Sequence, residues 1–140
     1  MEFSQENKVV QLCVKGMELE GLGQLTEASI LFNKAWDIAA NDFEKFTAAH
    51  YVARHQKSIL DKLDWDQVAL NHALNINNEA VKETLPSLYL NIGKCYEDLN
   101  DFDNAKKYYR LASAVTKFLP NDGYGNMIKA GINNGLARVM

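Results

Sequence analysis

Side chains able to serve as nucleophile, proton carrier or metal ligand are few in this 140-residue chain, which holds three histidines and two cysteines. His50 and His55 stand five apart in a helical pattern, a rotation of roughly 500°, so they do not share a face. A helical metal pair needs a spacing of three or four, and His72 is remote in sequence. The chain contains no H-E-x-x-H, Cys-x-x-Cys, P-loop or G-x-G-x-x-G. Ser29, Ser58, Ser87 and Ser113 have no context that would activate a hydroxyl. Gly123-Tyr124-Gly125 precedes a helical pattern and has the form of an anion cradle at a helix N-terminus. It reads more simply as the loop that admits the last helix. No catalytic residue, metal or cofactor is expected, and the chain reads as a non-enzyme. Cys13 and Cys95 lie within helical patterns and read as two reduced core thiols of a cytoplasmic protein.

Such residues need elements to position them, and composition says which kind. Hydrophobic residues make up 47% and charged residues 24%, as in ordinary globular proteins. Leu and Ala number 31 against 19 for Val, Ile and Thr, and there are only 8 Gly and 2 Pro. That bias favours helices over the turn-rich chains of β folds. The net charge of −3 does not suggest a nucleic-acid binder. Its distribution is uneven, since residues 1–100 carry most of the acid and 101–140 are basic. The first six residues are polar and acidic, with no stretch of signal-peptide length, and no run is apolar enough to span a membrane.

Apolar spacings of three and four predict seven helices. The first covers roughly 5–22 and is broken by Gly21 and Gly23. Thr26 caps the second, which carries Ala28, Phe32 and Ala35. Asn41 and Glu44 form a capping-box variant for a third over about 42–62. Asp64-Trp65-Asp66-Gln67 repeats that logic for a fourth, closed by Asn77-Asn78. Residues 79–84 form a separate helical turn. Pro86 sits in the first turn of a fifth helix, and Asp101 caps a sixth that Pro120 stops. A seventh, about 122–138, has Met127, Ile128, Ile132 and Leu136 on one face.

The chain also repeats itself. Tyr89-x-x-Ile92-Gly93-x-x-Tyr96 followed by Ala105-x-x-x-Tyr109 resembles the tetratricopeptide signature. Leu12, Gly16, Leu19, Ala28, Phe32 and Ala35 form a looser copy. Between them Trp65-Asp66-Gln67-Val68 aligns with Phe102-Asp103-Asn104-Ala105. That alignment puts His72 at the place of Phe32 and Tyr109, and Lys57 at the place of the glycine. The whole resembles the small stand-alone tetratricopeptide proteins of bacteria. The resemblance implies one all-α domain over 1–140, a right-handed α-solenoid of three hairpins (about 9–41, 42–78 and 79–119). A capping helix over about 122–138 would cover the last hairpin's apolar flank.

In that family the first helices line a concave groove in which ligands bind. The register above brings Val10, Cys13 and Met17 to the groove from the first copy, and Tyr51, Arg54, His55 and Ser58 from the second. The third contributes Ser87, Leu90, Asn91, Lys94 and Glu97. Of these, Tyr51, Arg54, His55, Ser58, Asn91 and Lys94 are the candidate binding residues. Arg54, Asn91 and Lys94 have the donors to hold a carboxylate. The alternative is that the two cations are solvated or paired with Glu97 or Asp98. The expected function is a protein- or peptide-binding module whose partner presents an acidic group, the chain itself being a monomer or homodimer. A small-molecule or signal-peptide sensor and a homo-oligomeric scaffold are the alternatives. Neither nucleic acid nor membrane is expected as a partner.

Overall fold

The computed structural model describes residues 6–140, and every element among them is helical. Seven long helices and one single turn follow one another: α1 (Lys8–Gly21), α2 (Leu25–Ile38), α3 (Asp42–Arg54), α4 (Ile59–Leu74), α5 (Glu79–Lys82), α6 (Leu85–Asp98), α7 (Phe102–Ala114) and α8 (Gly123–Val139). A 3-10 turn over Thr116–Phe118 follows α7. The chain divides into two compact units, one reaching to Asn75 and one starting at Ile76. In the first, α1 pairs with α2 and α3 with α4, and α3 also packs on α1 and α2. In the second, α6 pairs with α7, and α8 packs on both.

The caps at Asn41 and Asp101 follow the sequence. The Asn41 side chain accepts the Glu44 N–H at 2.9 Å, while the Glu44 carboxylate takes the Ala40 N–H at 2.9 Å. Asp101 accepts the Asn104 N–H at 3.3 Å, and Pro86 lies in the first turn of α6. The first helix begins at Lys8, with Asn7 accepting the N–H groups of Val9 and Val10. Its expected start at Gln5 falls outside the described residues. Two turns share one geometry: Gly23 and Asn100 are both left-handed, with φ of 77° and 63°. Glycine adopts that conformation without strain and asparagine tolerates it. Thr26 does not cap α2, which starts one residue before it.

The middle hairpin differs from its sequence reading. Helix α3 ends at Arg54, not near 62, and α4 begins at Ile59. The cap is Ser58, whose side-chain oxygen accepts the Asp61 N–H at 3.0 Å. Asp64-Trp65-Asp66-Gln67 therefore lies inside α4. The eighth residue of α2 is Phe32 and that of α7 is Tyr109, whereas the eighth of α4 is Asp66. His72 does not take the aromatic place, and Lys57 stands in the turn rather than at the glycine place. Helix α4 ends at Leu74, and Asn78 opens α5 instead of closing α4. Helix α7 ends at Ala114, before Val115 and well before Pro120.

The core of the first unit gathers Val9, Cys13, Ala28, Phe32, Ala35, Ala48 and Val52, flanked by Leu12, Trp36, Tyr51 and Trp65. In the second unit Ala112, Leu119, Ile128 and Ile132 form a cluster with Tyr89, Leu90 and Leu136 against it. So α8 does cover α7, through Ile128, Ile132 and Leu136. Met127 does not join them and is 62% exposed.

Each outer hairpin closes by seating a ring in a glycine notch. The Phe32 ring fills the space a Cβ at Gly16 would need. Tyr109 lies between two glycines: a Cβ on Gly93 would come within 2.8 Å of the ring, and one on Gly135 within 2.6 Å. Both rings are fully buried. Substituting Gly93→Leu drives a side chain into that ring and is expected to destabilise by about 1–3 kcal/mol. An unchanged melting temperature would refute the notch.

Candidate functional site

Helices α1 and α3 leave an open cleft of about 580 Å³ between them in the first unit. Its α1 wall carries Val10, Cys13, Val14 and Met17, with Gln11, Lys15 and Glu18 along the rim. Thr47 and Tyr51 form the α3 wall. Val10, Val14 and Met17 fall at spacings of four and three, so one helix face presents them together. Val10 and Cys13 are buried, whereas Val14 and Met17 are 43% and 37% exposed. Thr47 contributes its methyl, because its hydroxyl donates to the Phe43 carbonyl at 2.8 Å.

Tyr51 is held by its ring faces. It stacks on Phe32 with centroids 5.1 Å apart, and the Arg54 guanidinium lies 5.2 Å from its centroid. Burial raises its phenol above the ordinary tyrosine value, and the nearby Cys13 and Glu20 add to that rise against Arg54. No described residue hydrogen-bonds its hydroxyl. Burial also pushes the Cys13 thiol up to about 12. It therefore stays protonated and is not a reactive thiolate.

Two of the three expected anion-binding residues, Arg54 and Lys94, are engaged elsewhere. Arg54 donates to Glu20 Oε1 at 2.8 Å, and His55 Nε2 lies 2.7 Å from Glu20 Oε2. Glu20 thus joins the end of α1 to the end of α3. His55 and Ser58 are not on the α3 face, since both lie beyond its last residue. In the second unit Lys94 bonds Asp98 at 2.9 Å and Ser87 donates to the Thr84 carbonyl at 3.0 Å. Asn91 is half-buried on α6. A carboxylate approaching Arg54 or Lys94 would have to compete with one already bound.

Glu97 occupies in α6 the place of Glu20 in α1, and likewise holds an arginine. Its carboxylate accepts the Tyr109 hydroxyl at 2.6 Å and Arg138 at 2.8 and 3.1 Å. Arg138 first, then Tyr109, holds this carboxyl below the usual glutamate range. The sequence reading placed Glu97 in the groove but did not foresee this role, nor the role of Glu20. The shared position four residues after Gly16 and Gly93 was the available signal.

Other titratable groups do not assemble into chemistry. His72 Nδ1 sits 2.7 Å from Asp42, whose carboxyl is lowered mainly by that bond. His50 is half-buried, its Nδ1 enclosed with no hydrogen-bond partner among the described residues, and burial, reinforced by Arg54 and Lys62, lowers it to about 4. Among the described residues no group of His, Cys, Asp or Glu could hold a metal. Gly123 and Gly125 form the first turn of α8, where Asp122 already accepts the Gly125 N–H at 2.9 Å. Among the described residues no helix is long and apolar enough to cross a membrane.

The family model of the tetratricopeptide repeat matches residues 86–115, the segment that holds α6 and α7 from Pro86 onward. No curated protein and no solved structure matches the chain.

Folded-state lowering of the Glu97 carboxyl sets a pH signature. A depressed carboxylate contributes stability above the unfolded value, ~4.3, and loses it as pH falls through the folded value. Glu97→Gln is therefore expected to melt below the parent at pH 7. The gap should narrow below about pH 4, read by melting curves across pH. A gap independent of pH would break the assignment.

Proposed function

Because the hairpin of α6 and α7 is a tetratricopeptide repeat, we propose that the chain is a non-enzymatic protein-interaction module. It receives a segment of another protein in the cleft between α1 and α3. The observation that supports this reading is an apolar cleft left open on ordered helices. Val14 and Met17 stay exposed there although a core lies beside them. Such surface loses water when a partner's apolar side chain enters, at ~25 cal/mol per Å² before the costs of ordering. Helices hold the walls in place before a partner arrives, which limits that ordering cost.

The two free, buried thiols support a cytoplasmic setting. A second reading, a sensor of a small molecule or signal peptide, draws on the cleft volume of about 580 Å³, which lies in the range of ligand pockets.

Peptide display against the whole chain separates a docked protein segment from a small-molecule ligand. It should enrich segments bearing an apolar residue, and Met17→Glu should weaken their binding by about tenfold or more at unchanged melting temperature. Metabolites that raise the melting temperature, with no peptide retained, would instead establish the small-molecule sensor.

A further inference from the structure

Resting on the peptide-docking reading above, the cleft itself says more about what it accepts. Three features of its lining have no side-chain partner among the described residues. The Tyr51 hydroxyl is the first: its ring is fixed by Phe32 and Arg54, yet no described residue accepts its proton. A hydroxyl inside a partly dry cleft needs an acceptor once water is displaced. The other two are Lys15 and Glu18, exposed on the α1 rim and bonded to no described residue. Nearby Arg54 is different, because Glu20 already neutralises it.

We infer that the cleft binds a mixed-charge peptide segment of another protein. It seats an apolar side chain against Val14 and Met17 and offers a carbonyl or carboxylate oxygen to the Tyr51 hydroxyl. One acidic side chain faces Lys15 and one basic side chain faces Glu18. Lys15 precedes Glu18 by three residues, a rise of about 4.5 Å along α1, so the two partner charges have a fixed order along the helix. Charge complementarity of this kind selects register and partner more than it adds affinity. A uniformly acidic segment would meet Glu18 unfavourably, and a uniformly basic one would meet Lys15.

The test pans a random peptide library against four whole chains: the parent, the charge-swapped Lys15→Glu/Glu18→Lys double variant, Tyr51→Phe and Met17→Glu. The parent should enrich an apolar residue with an acid and a base in one preferred order. The charge-swapped chain should enrich the reverse order. Tyr51→Phe keeps the ring and its stack, and should weaken the parent's selected peptides about three- to tenfold at unchanged melting temperature. Peptides retained on the parent and lost with Met17→Glu, but with the same charge order on the swapped chain, would overturn this inference alone. Full affinity in Tyr51→Phe would likewise remove the hydroxyl from it. A library from which no chain retains any peptide overturns the docking reading, and this inference with it.

Discussion

Seating an aromatic ring where a Cβ is missing is the contact on which both outer hairpins depend. Phe32 against Gly16, and Tyr109 between Gly93 and Gly135, occupy the space a Cβ would need and so let the helices pack closely. The notch also sets axial register, because the ring fits only where the glycine stands. That register then decides which residues of α1 and α6 turn outward. On α1 it turns Val10, Val14 and Met17 toward the cleft, so the binding surface is a consequence of the packing behind it. Stacking of Tyr51 on Phe32 extends the same contact into the cleft wall.

A second device recurs with the first. Glu20 and Glu97 each lie four residues after a notch glycine, and each holds an arginine from the helix packed next to its hairpin. In the first unit that helix is α3; in the second it is α8. Helix α8 therefore relates to α6 and α7 as α3 relates to α1 and α2, although it is followed by no hairpin partner within the described residues. Both ion pairs are partly exposed, so each contributes modestly to stability. Their larger effect is geometric: Arg138 grips Glu97 through two hydrogen bonds, and Arg54 and His55 share the two oxygens of Glu20, so each carboxylate fixes where a helix end lies.

The middle hairpin is built by other means. Asp66 stands at the aromatic place and is buried, with Lys62 bonded to it at 2.9 Å one turn earlier. Lys62 itself occupies the place of Ala28 and Ala105, and Ala53 stands where the outer hairpins carry Glu20 and Glu97. A carboxylate cannot fill the volume of a ring, so α3 needs no glycine opposite it. Ala48, Ala49 and Ala53 are all buried on that helix. Burying a charge requires partners, and Lys62 is one of those that hold Asp66. Lys62→Ala thus bears on Asp66 more than on the surface it leaves.

What the sequence determined by itself was everything that local physics dictates. Helical periodicity, the Asn41 and Asp101 caps and Pro86 at a first turn involve residues within four of one another. The two outer hairpins were legible as well, because their glycine, alanine and aromatic residues repeat at equal spacings. The middle hairpin was misread because Trp65-Asp66-Gln67 imitates a helix start. Ser58-x-x-Asp61, the actual cap, lies where the apolar pattern runs on unbroken. Only tertiary structure decided the state of the charges. Arg54 and Glu20, or Arg138 and Glu97, are separated by more than thirty residues, and no spacing rule couples side chains so far apart. Whether a cation is free to meet a ligand depends on which carboxylate the fold brings beside it. Here the fold satisfied Arg54 and Lys94, and left Lys15, Glu18 and Tyr51 lining the open cleft.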